Sequence, residues 1–294
     1  MSSTTTILLY GRTRAGKSSQ IGEMSEYAAK VTGGKKTRLY TADRGGTGPI
    51  KPYIDLGLIE VVEQRDTDPW IFLNKAVRGF VRDDKGKWVP GKNDDIGLFA
   101  FESMTAFADA LMTSLAEKSA QGTSVGGAAN VSFIVNGDGE SLKIGGNNMA
   151  HYNIVQTRIT DEVWQSQRLP APYIMWTASL SKDDDATSSG KVLGPQVVGK
   201  ALTSEVPRWF NLCFRIDAIP AQQGKPERHV LYLGNSVDIT AGNAVSLGNT
   251  RVPMDAPDLP TSIEPASLKK ALELIEGGHT QALDSIRKRL NIKA

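Results

Sequence analysis

Cysteine is almost absent: the 294-residue chain has one, Cys213. A single thiol excludes an internal disulfide and any cysteine-based zinc cluster. Histidine is scarce too, and His151, His229 and His279 are too scattered for a His-rich metal site. Long apolar runs are missing. Ile7-Leu8-Leu9-Tyr10 is far too short for a bilayer, and the MSSTTTILLYG start has no basic segment before its apolar run. The expectation is a soluble protein of a reducing cytoplasm, with no membrane partner. An excess of one charge is also lacking. Lys plus Arg total 34 against 32 for Asp plus Glu, a net charge of +2. That excludes a protein that coats nucleic acid by bulk charge, but it leaves room for a local basic groove.

What is present is enough for a sizeable core. Hydrophobic residues make up 40% of the chain, and at roughly 150 residues per domain the length allows one large domain or two smaller ones. Short apolar runs alternate with helical spacing. Ile7–Tyr10, Arg38–Ala42, Ile59–Val62, Ile96–Phe101 and Tyr173–Thr177 read as strands. Helices are expected over Lys17–Lys30, from Pro69 through Phe80 with Asp68 as N-cap, after the Ile96–Phe101 run through about Lys118, and over Ile154–Leu169. Residues 82–95 read as a polar hairpin or loop, and 119–150 as a long loop with a short hairpin near Val131–Val135. Later strands, near Cys213–Ala218 and His229–Gly234, follow without intervening helices.

This order predicts an α/β fold: a mostly parallel central sheet with helices on both faces and an antiparallel extension late in the chain. The expected organisation is a core over 1–250, a proline-rich linker over 251–266 and a helical tail over 267–294. The tail reads as two short helices broken at Gly277-Gly278 and packed as a hairpin through Leu268, Leu272, Ile275, Leu283, Ile286 and Leu290.

The sharpest motif is Gly11-Arg12-Thr13-Arg14-Ala15-Gly16-Lys17-Ser18-Ser19. It matches the phosphate-loop pattern at every fixed position, with an apolar strand before it and an amphipathic helix after it. Backbone N–H groups of such a loop converge on phosphate oxygens. Gly11 and Gly16 permit close backbone approach, Lys17 brings charge to the phosphates, and Ser18 offers a hydroxyl to Mg²⁺. ATP and Mg²⁺ are the expected cofactors. Such a loop needs a second acid at the end of a strand, expected to be the neighbour of the first. Glu102, the first charge after Ile96–Phe101, fits as metal partner or base; the alternative is an exposed cap on the following helix. Asp43 is a candidate to orient water, or a turn former before Arg44-Gly45-Gly46. Thr177 or Ser179 is placed to sense the γ-phosphate, or is an ordinary strand-end hydroxyl.

These segments resemble the phage-encoded RecA-like P-loop ATPases linked to recombination and single-strand annealing. RLYTADRGG (38–46) resembles the strand end bearing the catalytic acid of RecA-type ATPases. LFAFESMTAF (98–107) resembles the second acidic motif and YIMWTASLSKDDD (173–185) the sensor strand. GPQVVGKAL (194–202) and PRWFNLCFRID (207–217) resemble the closing segment. The resemblance covers about residues 5–235. It implies phosphate and magnesium roles for Lys17 and Ser18, the second acidic position for Glu102 where Asp is commoner, and the catalytic position for Asp43 where RecA has Glu. The shorter acid, with Thr177-Ala178-Ser179 where Gln or His is common, implies slow turnover. Lys200 stands where a basic residue can reach a neighbouring subunit's nucleotide, or is a solvated lysine.

The resemblance further implies a ring or filament that acts on single-stranded DNA, in the host cytoplasm if phage-encoded. Loops 119–150 and 181–194 are in position for DNA, but each is poor in basic residues. The tail is richer, with Lys269, Lys270, Arg287, Lys288, Arg289 and Lys293 against Glu273, Glu276 and Asp284; it reads as a DNA-binding element, a protein-docking element or a solvated amphipathic hairpin. The competing readings are a nucleotide-gated structural, assembly or packaging factor and a small-molecule kinase. The latter is disfavoured because no arginine-rich lid follows Arg12 and Arg14.

Overall fold

In the computed structural model, the described residues are 4–43, 45–120, 130–135, 141–146, 149–181, 192–198, 200–221, 225–233, 237–238, 244–246, 249–250 and 259–290. Strand β1 (Thr5–Gly11) runs into the phosphate loop and then helix α1 (Lys17–Val31). Next come β2 (Lys36–Thr41), α2 (Lys51–Asp55), β3 (Ile59–Glu63) and α3 (Pro69–Ala76), followed by the hairpin β4 (Phe80–Arg82) and β5 (Trp88–Pro90). The middle of the chain holds β6 (Ile96–Glu102), α4 (Met104–Ala120), the hairpin β7 (Asn130–Val135) and β8 (Ser141–Gly146), α5 (Met149–Ser166) and β9 (Tyr173–Ser179). After β10 (Val192–Leu193) and α6 (Lys200–Glu205) come β11 (Leu212–Ile219), β12 (Arg228–Tyr232), β13 (Val237–Asp238), β14 (Ala244–Ser246), β15 (Asn249–Thr250), β16 (Ser262–Ile263) and α7 (Leu268–Arg289).

The main sheet has the order β16-β12-β11-β1-β9-β6-β2-β3, with β15 also on β11. The run from β11 through β3 is parallel, while β12, β15 and β16 add antiparallel pairs at one side. This is the α/β sheet with a late antiparallel extension that the sequence implies. Central parallel strands are covered on both faces, which is why β1 and β6 read as continuous apolar runs. Alternate residues divide between two cores. Leu8 and Tyr10 face α3, α4 and α5, whereas Ile7 and Leu9 face α1 and α7. Phe101 stacks on Trp176 with ring centres 4.5 Å apart, locking β6 to β9 below the strand ends.

Three local expectations change. The acid-bearing β6 is not the neighbour of β1, because β9 lies between them. Helix α3 begins on its Asp68 cap, which accepts from the Trp70 N–H at 2.9 Å, but it ends at Ala76, and Phe80 starts a strand. The tail is one helix through Gly277-Gly278, not two. Two interior glycines cost about 1 kcal/mol each. Burial of Leu268, Ala271, Leu272, Ile275 and Ala282 against the core offsets that. With no hairpin partner, Leu283 and Leu290 are left 47% and 63% exposed. Among the described residues, no helix is long and apolar enough to cross a membrane.

Candidate functional site

The strands deliver the site residues through their C-terminal ends. In the β1 register Gly11 lies opposite Ser179 of β9 and Ile216 of β11. A Cβ on Gly11 would sit 2.1 Å from the Ile216 carbonyl oxygen, so the steric demand here comes from the neighbouring strand. Gly16 has φ +97°, a left-handed conformation that suits glycine, and it caps the start of α1. Arg14 is also left-handed, at φ 65°. The loop turns back on itself through the Ala15 N–H, which donates to the Arg12 carbonyl at 3.2 Å.

Lys17 folds over this loop. Its Nζ donates to the carbonyls of Gly11 at 3.0 Å and Arg12 at 2.9 Å. Burial lowers its pKa, while Glu102 and Asp43 oppose that shift by favouring the charged form. Ser18 donates its hydroxyl to Oε1 of Glu102. Glu102 ends β6 and is 2% exposed, so it is not a solvent-facing helix cap. The Ser103 hydroxyl, which accepts from the Ala106 N–H at 3.2 Å, serves the start of α4. Burial pushes the Glu102 carboxyl up to about 7; the Ser18 hydrogen bond and Lys17 pull it down, and Asp43 pushes it further up.

The second oxygen of Glu102 is buried without a hydrogen-bond partner. Gly46 covers it, and a Cβ there would lie 2.9 Å from Oε2. Among the described residues, no group of three or more His, Cys, Asp or Glu side chains is placed to hold a metal ion. A serine hydroxyl and one carboxylate with a spare oxygen nevertheless fit Mg²⁺, which keeps several waters and takes further oxygens from phosphates. Ser18 and Glu102 would hold it, and bound there it would neutralise charge on phosphate oxygens.

Asp43 follows β2 and faces the same cavity. Its Oδ1 accepts from the Gly45 N–H at 3.0 Å, and its carbonyl accepts from the Gly46 N–H at 3.3 Å. It is a turn former that also lines the site. Of the two β9 hydroxyl residues, Ser179 reaches the cavity, while Thr177 is fully buried with its hydroxyl oxygen unpartnered. Ser179 is fixed by its N–H, which donates to the Thr105 hydroxyl at 2.9 Å. Lys200 opens α6, but its side chain lies outside the described residues, as do 121–129, 136–140, 147–148 and 182–191 of the candidate DNA loops.

The cavity measures about 780 Å³. It brings Thr13, Arg14, Ala15, Gly16, Lys17, Ser18 and Ser19 together with Asp43, Glu102 and Ser179; Gly11 and Arg12 do not line it. The sequence reading missed its other wall, formed by Glu227, Arg228, His229, Glu264, Pro265 and Ala266. No motif marks these residues. Proximity in the sheet assembles them, with the Ala266 N–H donating to the His229 carbonyl at 2.8 Å.

No protein-family model matches the chain, and no curated protein matches it. Among solved structures it is similar to the RadB recombinase, with 13% identity and a TM-score of 0.41 over 78% of this chain and 80% of that one. It is also similar to a KaiC-like protein from the hyperthermophilic archaeon Pyrococcus horikoshii OT3, with 10% identity and a TM-score of 0.40 over 78% and 77% of the two chains. The strand order is that of a mostly parallel α/β sheet, in which the phosphate-loop motif turns the chain from β1 into α1.

Proposed function

We propose that this protein is a RecA-like ATPase that binds Mg-ATP over the end of β1, hydrolyses it slowly, and acts on DNA as an oligomer in recombination or single-strand annealing. The observation that carries the nucleotide reading is the convergence of Lys17, Ser18 and Glu102 in one cavity, with a spare buried carboxylate oxygen beside the loop hydroxyl. Lys17 would bind phosphate oxygens, and Asp43 and Glu102 would orient or deprotonate water. Residues 1–250 form the ATPase core in this reading, 251–266 a strap and 267–294 a tail. The cytoplasm is the site of action, the host's if the chain is phage-encoded. The DNA part is supported by the sequence resemblance and by the basic last turn of α7, Arg287, Lys288 and Arg289.

One observation favours a second reading. Asp43 is committed to a turn, which suits a nucleotide that is held as a switch in an assembly or packaging factor. ATPase rate and particle mass, each measured with and without single-stranded DNA at low salt, separate the two. The DNA reading expects both to rise with DNA and the binding to weaken with salt. If both are indifferent to DNA, that reading is wrong. An unchanged ATP affinity in Lys17→Ala would overturn the phosphate-loop assignment itself.

A further inference from the structure

The cavity is longer than its phosphate end. In the sheet, β9, β6 and β2 lie on one side of β1, and they bring Ser179, Glu102 and Asp43. On the other side lie β11, β12 and β16, which bring Glu227, Arg228, His229, Glu264 and Pro265. The phosphate loop sits between the two groups. A ligand whose phosphates lie over Lys17 and Ser18, with its terminal phosphate toward Glu102, must therefore direct its other end toward β12 and β16.

That second wall is built and held. Arg228 pairs with both oxygens of Glu264, at 3.0 and 3.2 Å, bridging β12 to the segment after β16. His229 is tied to the loop itself: its Nδ1 lies 3.1 Å from the Ala15 carbonyl, which can only accept, so Nδ1 carries the hydrogen. In the neutral ring Nε2 is then left as an acceptor. The Glu227 carboxylate lies 3.8 Å from Nε2. Beside these groups stands the exposed ring of Pro265. The wall thus offers carboxylate and imidazole acceptors next to an apolar ring. Acceptors of this kind suit ribose hydroxyls and base amino groups, and a flat apolar ring suits a base face.

We propose that Glu227, His229, Glu264 and Pro265, braced by Arg228, form the subsite for the base and ribose of a nucleoside triphosphate. The proposal rests on the reading of the cavity as a nucleotide site.

Calorimetric titration with Mg-ATP and with inorganic tripolyphosphate plus Mg²⁺ tests it. Wild-type protein should bind ATP at least tenfold more tightly than tripolyphosphate. The double variant Glu227→Gln, Glu264→Gln should lose about that margin, through ATP alone. Equal wild-type affinities for the two ligands overturn the subsite while leaving the phosphate loop standing, and they need no variant to fold. An unchanged ATP affinity in the double variant, or a parallel fall for both ligands, overturns it as well. Failure of the wild type to bind either ligand overturns the nucleotide reading beneath it.

Discussion

Ser18 donates its hydroxyl hydrogen to Glu102, joining the first turn of α1 to the end of β6 across the intervening strand β9. The second Glu102 oxygen is buried and unpartnered, and burial makes this carboxyl expensive to ionise although the Ser18 bond favours the ionised form.

A pH dependence follows from that expense. The Glu102 pKa rises from 4.5 to about 7 in the folded chain. The folded state therefore holds this proton more tightly than the unfolded state does. Its contribution to stability is full below the unfolded value, falls as pH rises through the interval, and is gone above the folded value. A shift of this size corresponds to about 3 kcal/mol. Ligand-free protein should melt at a lower temperature near pH 8 than near pH 5, and Glu102→Gln should flatten the difference. A wild-type melting curve indifferent to pH over that range would contradict it.

Asp43 separates shape from chemistry. Asn at this position keeps an oxygen to accept from the Gly45 N–H, so Asp43→Asn should leave the melting temperature within about 1 °C of wild type. If the carboxylate orients water, turnover should drop at least tenfold. Wild-type turnover in Asp43→Asn would leave the residue as a turn former only.

Gly11→Ala tests the strand packing. The new Cβ would lie 2.1 Å from a backbone oxygen of β11, which cannot swing away as a side chain could. Separating β1 from β11 should cost about 3 kcal/mol or more, visible as a lower midpoint in urea. A midpoint equal to wild type would mean the two strands are not held this close.

Gln20 couples the phosphate-loop helix to the tail. Its Nε2 donates to the Ala266 carbonyl at 3.2 Å, and its Oε1 accepts from the Leu268 N–H at 2.6 Å, all of it buried. Gln20→Ala leaves both backbone groups unpaired, a loss of about 2 kcal/mol. Limited proteolysis should then cut between 251 and 268 faster than in wild type. An unchanged cleavage rate would show that Ser267–Glu23 and Lys269–Glu26, at 2.7 Å each, hold the tail without it.

Much of the nucleotide end was legible in the sequence because it is local. Gly11 through Ser19 lie on one loop, and Glu102 is the first charge after an apolar run, so spacing alone points to them. The turn at Asp43 was legible for the same reason, since its partners are Gly45 and Gly46. In the tail, Gly277-Gly278 looks like a break in the sequence, yet the helix runs through it. What keeps the helix continuous is burial against α1 and the sheet, which a local pattern does not display.

By itself, the sequence determined the alternation of strand and helix, the phosphate loop with its lysine and serine, and the acid at the end of β6. These depend on periodicity and on short-range backbone geometry. Tertiary structure alone decided that β9 separates that acid's strand from β1, that Ser179 and not Thr177 reaches the cavity, and that Glu227–His229 meet Glu264–Ala266 opposite the loop. Strand order is set by which faces bury against which helices, and two segments more than thirty residues apart become one wall only when the sheet pairs them.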